Sequence, residues 1–186
     1  MKTMILLSLL LMIFGAALYA EATEEIKLDD PREEKLEAFH VIGLQIKDSM
    51  ESEEMMKLWM DYFEVRDLIP DRYPEADYGV TYFTEDFDPQ TWKGFYYLVG
   101  SQVKSLENIP EPLVGHTVPG GLYLVFEHLG SVASIGKSYD YIFSMYFMDS
   151  KYQPLMQEVF ERYGERFKHG NDKSVLEIWV PVKRKG

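Results

Sequence analysis

Near its C-terminal end the chain carries the stretch that decides its fold class, Val175-Leu176-Glu177-Ile178-Trp179-Val180-Pro181-Val182. Side chains of a strand point alternately to its two faces. One face of this stretch is therefore unbroken and apolar, formed by Leu176, Ile178, Val180 and Val182. We predict a strand that packs this face against helices and holds Glu177 on its other face, between Val175 and Trp179.

Upstream of this strand, one order of elements occurs twice: strand, helix, strand, strand. The helix of the second half is marked by apolar residues at helical spacing, Ile135, Tyr139, Ile142, Phe143 and Tyr146. The halves span about 38–108 and 113–186, and together they form one predicted domain, 38–186. We predict an α+β fold, with an antiparallel sheet of about eight strands and two main helices on one face.

The N-terminal residues have the parts of a secretory signal. Lys2 is the one charge before Glu21, and Met4 to Ala17 is almost continuously apolar. Ala20-Glu21-Ala22 fits a cleavage site, so we predict a signal peptide over 1–22, with cleavage after Ala20 as the alternative. The remaining chain is then exported, to the periplasm or the medium, without stable membrane insertion. An uncleaved N-terminal membrane anchor is the other interpretation, and it also leaves the chain outside the cytoplasm.

Residues 23–37 are polar and rich in acids, with Pro31 among them. We interpret this stretch as a solvated acidic leader that precedes the domain.

Composition excludes several classes of function. The formal net charge is −12, which repels phosphates, so we predict no nucleic-acid partner. Cysteine is absent, which excludes disulfides, thiolate metal sites and cysteine nucleophiles. The four histidines show no metal-binding spacing, so we expect no metal and no cofactor. Serine-hydrolase and phosphate-loop motifs are absent as well.

Three carboxylates are candidates for a binding site. Glu177 lies between apolar neighbours, where burial is costly unless a cation meets it. That cation is either a ligand or a structural side chain such as Arg162 or Arg166, and a solvent-facing Glu177 is the third interpretation. Glu127 follows the same logic on the predicted strand Leu122 to His128, on the face with Tyr123 and Val125. Glu161 is interpreted as a salt-bridged or hydrogen-bonded structural carboxylate.

Aromatic side chains are abundant, and many are tyrosines, which favour partly buried positions where the hydroxyl reaches water or a polar partner. Such rings can line a pocket and attract cations. The candidates are Tyr82, Trp92, Tyr96, Tyr97, Tyr123, Tyr139, Tyr141, Tyr146 and Trp179.

The second half resembles a known family in the order and spacing of four motifs. They are Tyr123-x-x-Phe126-x-His128-x-Gly130, Tyr139-x-x-Ile142-Phe143, Phe160-Glu161-x-Tyr163 and the run Glu177 to Val182. Together with Tyr78-Gly79-Val80 upstream, they resemble the GyrI-like effector-binding domains, of AraC-type effector-binding or SOUL-like fold. The resemblance covers about residues 37–183. It implies two strand-helix-strand-strand modules about a pseudo-two-fold, with a ligand cleft between them.

The resemblance also implies site residues. A glutamate on the last strand is the family's pocket acid for cationic, hydrophobic ligands, and by motif it falls on Glu177. An aromatic near the end of the second helix flanks the ligand, and here that run is Tyr146-Phe147-Met148. Glu127 stands where relatives usually have a neutral residue. A signal peptide stands where many relatives carry a helix-turn-helix, so we expect no transcriptional control.

The expected function is an exported binding protein for small amphipathic, cationic, aromatic or hydrophobic molecules. The expected ligand contacts are Glu177, Trp179, Tyr146, Tyr123, Tyr82, Tyr139 and Glu127. One alternative, drawn from stand-alone relatives, is a hydrolase of electrophilic small-molecule toxins. Glu177 and Glu127 would divide the acid and base roles in it, which requires environments that separate their pKa values. A second alternative is an acidic protein-interaction module.

Overall fold

The computed structural model describes residues 28–186. The predicted signal peptide, 1–22, and the first residues of the predicted leader lie outside this range. No helix within 28–186 is long and apolar enough to cross a membrane.

Residues 28–186 have the predicted α+β fold, with the two predicted main helices and with nine strands where about eight were predicted. The first helix, α1, is Ser52–Val65. The second, α2, is Ile135–Tyr141 and continues through a π-helical turn, Ile142–Tyr146, into a last turn, Phe147–Asp149. The strands are β1 Arg32–Leu36, β2 Phe39–Lys47, β3 Arg72–Asp88, β4 Lys93–Val103, β5 Val114–Val118, β6 Gly121–Leu129, β7 Tyr152–Pro154, β8 Val159–Tyr163 and β9 Val175–Arg184.

The sheet carries the predicted repeat in its strand order. All pairs are antiparallel, the order is β1-β6-β9-β8-β3-β4-β2-β5, and β7 pairs with β9. Exchanging the two halves, β1 with β5, β2 with β6, β3 with β8 and β4 with β9, gives the same order reversed. The pseudo-two-fold therefore passes between β8 and β3, the two central strands.

The two ends of the sheet are linked by the chain itself. β1 leads into β2 after two residues, and β5 leads into β6 after two residues. Leu36 lies opposite Gly121 and Phe39 lies opposite Val118, so one register continues through both pairs. The sheet therefore curls, and its face away from the helices buries a cluster of its own: Val41, Ala76, Tyr78, Val80, Leu98, Val118, Tyr123 and Phe160.

The helices cover the other face of the sheet. Leu58 and Tyr62 of α1 pack on strands of the first half, in a cluster that includes Ile42 and Val99. Residues of the second helical run pack on strands of the second half, in a cluster of Tyr139, Ile142, Phe143, Phe126, Ile178, Val180 and Val182. The predicted apolar face of β9 is thus confirmed. Each such side chain contributes about 1.5–3 kcal/mol on full burial.

The interpretation of 23–37 as a solvated leader needs correction where the structure describes it. Residues 32–36 form β1, which pairs with β6 over its whole length, and Leu28 is buried in the core beneath α2. The acids that suggested a solvated segment are partly paired within the fold. Glu33 accepts hydrogen bonds from Tyr152 and from Arg184, the latter at 2.7 Å. The sequence did not reveal β1 as a strand, because the partners of its charged side chains are distant in sequence.

Candidate functional site

The curled sheet separates the three candidate carboxylates between its two faces. Glu161, on the central strand β8, faces the helices. Glu177 on β9 and Glu127 on β6 face the other way and lie directly opposite each other across the strand pair. The three candidate carboxylates therefore form two distinct acidic centres.

Glu161 is the centre of a cluster that joins both halves of the fold. Its side chain accepts hydrogen bonds from three tyrosine hydroxyls: Tyr97 at 2.9 Å, Tyr139 at 2.8 Å and Tyr163 at 3.0 Å. These tyrosines come from β4, α2 and β8, so the first half supplies one and the second half two. We call Glu161, Tyr97, Tyr139 and Tyr163 the tyrosine-carboxylate site.

The electrostatic setting of Glu161 is unusual for a carboxylate. The residue is 5% exposed, and every hydrogen-bond donor found for it within residues 28–186 is a neutral hydroxyl. Burial raises the pKa of Glu161, although the three tyrosine hydrogen bonds act in the opposite direction. Among the described residues, only hydroxyl dipoles are therefore placed to stabilise a negative charge on Glu161.

Gly79 of β3 makes room for this site. It lies opposite Glu161 in the β3–β8 pair. A Cβ atom on Gly79 would lie 2.3 Å from the hydroxyl oxygen of Tyr97 and 2.7 Å from Oε2 of Glu161. Only glycine allows these two groups to meet directly above the β3 backbone.

Aromatic rings lead from this site toward the surface. The ring of Trp59, on α1, meets Tyr163 edge-on with centroids 4.6 Å apart, and Phe167 meets Tyr163 at 4.8 Å. On the other side, Tyr139 stacks on Phe143 at 6.3 Å. The carboxylate therefore lies between aromatic walls that α1 and α2 supply.

Glu177 has three cationic partners from the same chain. Its carboxylate meets Arg32 at 2.7 Å, Arg166 at 3.3 Å and Arg162 at 3.4 Å. Trp179 Nε1 donates to it at 3.2 Å. Burial opposes ionisation, but Arg32 and the other donors hold the pKa of Glu177 below its usual value. A structural arginine partner was one of the alternatives that the sequence left open.

Glu127 belongs to the same ionic cluster. Arg166 contacts both of its carboxylate oxygens, at 2.5 and 3.0 Å, and Arg32 contacts it at 3.2 Å. Like charges opposite each other in a sheet repel, and here Arg32 and Arg166 bridge Glu127 and Glu177. The pKa of Glu127 is lowered, chiefly by its hydrogen bonds from Arg166. Both pKa values shift downward, so neither carboxyl has the raised pKa that a general acid near neutral pH requires.

The other predicted contacts fall into two places. Trp179, Tyr123 and Tyr82 belong to the cluster on the face away from the helices. Tyr123 is buried and donates to the carbonyl of Pro119, while Tyr82 stacks on His116 with centroids 3.8 Å apart. Tyr139 joins the tyrosine-carboxylate site.

Tyr146, in the π-helical turn, packs against the helix-side core. Its ring meets Phe126 at 5.0 Å and Phe147 at 5.4 Å, both edge-on.

Five residues of the tyrosine-carboxylate site and its surroundings were not among the ligand contacts expected from the sequence: Glu161, Tyr97, Tyr163, Trp59 and Gly79. Glu161 was interpreted as a salt-bridged or hydrogen-bonded structural carboxylate, and its three tyrosine hydrogen bonds agree with the second of these. The sequence indicates part of this site, because the motif Phe160-Glu161-x-Tyr163 puts Glu161 and Tyr163 on one face of a strand. Their convergence with Tyr97 depends on strand order, which the local pattern does not encode.

Comparisons with known proteins agree with this architecture. The transcriptional regulator BrlR of Pseudomonas aeruginosa is 27% identical over 147 residues, covering 78% of this chain and 52% of BrlR. The chain thus spans about half the length of that curated relative.

Two solved structures share the fold. An integron cassette protein from Vibrio cholerae has a TM-score of 0.59 at 20% identity, covering 84% of this chain and 97% of that protein. SAV2435, solved bound to tetraphenylphosphonium, has a TM-score of 0.66 at 16% identity, covering 83% of this chain and 94% of SAV2435.

Residues 29–183 match the GyrI-like small molecule binding domain. That match spans the curled sheet, both helices and both acidic centres. The chain belongs to the GyrI-like small-molecule binding domain family.

Proposed function

We propose that this domain binds small amphipathic cations and that Glu161 takes up the positive charge of the ligand. The observation that carries the proposal is a buried carboxylate whose three partners are neutral tyrosine hydroxyls. A buried carboxylate is stabilised most by a countercharge. Within residues 28–186, arginines supply that countercharge to Glu177 and Glu127, whereas the groups that meet Glu161 are hydroxyl dipoles.

The surroundings of Glu161 favour an apolar cation over a small hydrated one. Tyr97, Tyr139 and Tyr163 present ring faces and edges together with their hydroxyls, and Trp59 extends this aromatic wall. Aromatic rings attract cations, most strongly where water is excluded. Binding of tetraphenylphosphonium by SAV2435, which shares the fold, supports an aromatic cation as the first ligand to test.

The proposal includes export. The basic, apolar and small-residue parts of residues 1–22 support a signal peptide, with N-terminal anchoring as the alternative. The absence of a nucleic-acid partner stays a prediction from the net charge of −12. A reporter that is active only outside the cytoplasm, fused after residue 22, tests export. An intact Met1 on cytosolic protein would contradict it.

Calorimetry with tetraphenylphosphonium and the neutral triphenylphosphine oxide tests the binding site. We expect Glu161→Gln to weaken tetraphenylphosphonium about tenfold or more, since the cation then loses its buried partner. The neutral compound keeps its affinity. Glu177→Gln is the matched control, because it removes the same charge from the ionic cluster. If Glu177→Gln alone selectively lost cation binding, Glu177 rather than Glu161 would be the residue that binds the positive charge of the ligand.

A further inference from the structure

We infer that Arg66 restricts the site to ligands with one positive charge, because it neutralises a second acid, Asp77, that lies next to the tyrosine-carboxylate site. The inference rests on the proposed function, since it concerns the cation that Glu161 takes up. It names the ligand class as monocations and assigns Arg66 as the residue that excludes dications.

Asp77 of β3 lies on the same face of the sheet as Glu161. Its side chain accepts a hydrogen bond from Tyr62 of α1 at 2.5 Å, so it faces the helices. Asp77 lies opposite Tyr163 of β8, whose hydroxyl donates to Glu161 at 3.0 Å. Glu161 is therefore the diagonal neighbour of Asp77 across the β3–β8 pair, at about 7–8 Å.

The two halves of the fold build their central acids alike. In the second half, Tyr139 of α2 donates to Glu161 on β8. In the first half, Tyr62 of α1 donates to Asp77 on β3. The two strands exchange under the pseudo-two-fold of the sheet. The acids differ in their countercharge, because Nη1 of Arg66 lies 3.5 Å from Oδ2 of Asp77, whereas the groups described around Glu161 are hydroxyls.

Arg66 lies where the second charge of a ligand would find its partner. Its guanidinium group is 5.2 Å from the centroid of the Phe63 ring. The side chains of Arg66 and Asp77 are 37% and 21% exposed, so solvent reaches both. A second ligand charge beside Asp77 would lose water without gaining a free countercharge, and the guanidinium group would repel it. Selectivity often depends on such a group, which penalises the wrong ligand.

Calorimetry with two ligands of one shape tests the inference. Methyl viologen is a rigid aromatic dication with its charges at a spacing similar to that of the two acids. Its singly charged isostere has a p-tolyl ring in place of one N-methylpyridinium ring. We expect the unmodified domain to bind the isostere about fivefold or more tightly than methyl viologen, because the second charge has no free partner.

Arg66→Gln should reverse this preference. It frees Asp77, so the affinity for methyl viologen should rise about fivefold or more, as a partly exposed ion pair contributes. The affinity for the isostere should rise less than about twofold, since its charge lies farther from residue 66 and is screened.

Three further variants show whether the charge of Arg66 is the cause. Arg66→Lys keeps the charge and should keep the preference for the isostere. Arg66→Gln/Asp77→Asn removes both charges and should lose the gain in methyl viologen binding. The matched control is Arg72→Gln, which removes the same charge from an ion pair with Asp67 at 3.3 Å and should leave the preference unchanged.

The outcomes separate this inference from the proposed function. Equal changes of the two affinities in Arg66→Gln would overturn the inference, as would an unmodified domain that binds the two compounds equally. Loss of tetraphenylphosphonium binding in Glu161→Gln would then still keep the proposed function. A gain in methyl viologen binding that persists in Arg66→Gln/Glu161→Gln would keep the role of Arg66 and overturn the cation site at Glu161.

Discussion

Arg32 of β1 donates a hydrogen bond from Nη2 to Oε1 of Glu177 on β9 at 2.7 Å, across 145 residues of sequence. The same guanidinium group lies 5.6 Å from the centroid of the Trp179 ring. The N-terminal strand thus supplies a cation to the glutamate that a ligand was expected to meet. This contact explains why Glu161, which has no such partner among the described residues, is the better candidate for ligand charge.

Arg32→Gln should destabilise the domain by about 1–2 kcal/mol, because it removes charge-assisted hydrogen bonds that are only partly exposed to solvent. Lys35→Gln, on the exposed side of the same strand, is the control and should change little. Urea denaturation at neutral pH measures both. An equal loss in the two variants would show that β1 is held by its backbone pairing rather than by Arg32.

The penalty of Arg32→Gln should shrink in acid. The pKa values of Glu127 and Glu177 are lowered in the fold, so their ion pairs contribute fully above the ordinary carboxyl pKa near 4.5. That contribution is lost as the pH falls through the lowered folded values. Denaturation from pH 7 down to pH 3 checks this, and a penalty constant over that range would contradict it.

The effect of Glu161→Gln on stability should depend on pH in the opposite direction. The pKa of Glu161 is raised in the fold, so its ionised form weakens the folded state above that raised value, and the cost disappears below the ordinary pKa near 4.5. We expect the variant to gain thermal stability over the unmodified domain at pH 8 and to lose that gain by pH 4. A variant less stable at pH 8 would show that the tyrosine hydrogen bonds outweigh the desolvation of the charge.

Gly79→Ala should destabilise the domain by about 1–3 kcal/mol, since the new methyl group would overlap the Tyr97 hydroxyl. Removing that hydroxyl should relieve the closest overlap, while Oε2 of Glu161 would still lie 2.7 Å from the new methyl group. A double-mutant cycle with Tyr97→Phe therefore predicts a favourable coupling between the two changes. Additive losses would mean that the strain falls on the backbone instead.

Tyr146→Ala separates a core role from a ligand-contact role. The Tyr146 ring lies against Phe126, which is fully buried, so we expect a loss of about 2 kcal/mol of stability. The affinity for tetraphenylphosphonium should change less than threefold. A stable variant with weakened binding would support the ligand contact that the family resemblance implies.

The sequence alone determined the α+β class, the repeated order of elements and the faces of the long strands. Ile178, Val180 and Val182 pack in one cluster with residues of α2, and Leu176 is buried, as their alternation predicts. These features were readable because periodicity is local: the face of a side chain depends only on its place within its own strand or helix.

Only the tertiary structure decided which carboxylate receives a countercharge. Arg32 reaches Glu177 because β1 pairs with β6 and β6 with β9, and β1 lies in an acidic stretch that looked solvated. Tyr97 and Tyr139 reach Glu161 because β8 meets β3 at the centre of the sheet and α2 crosses above it. Partners of a buried charge are set by strand order and register, which join residues that no local pattern connects.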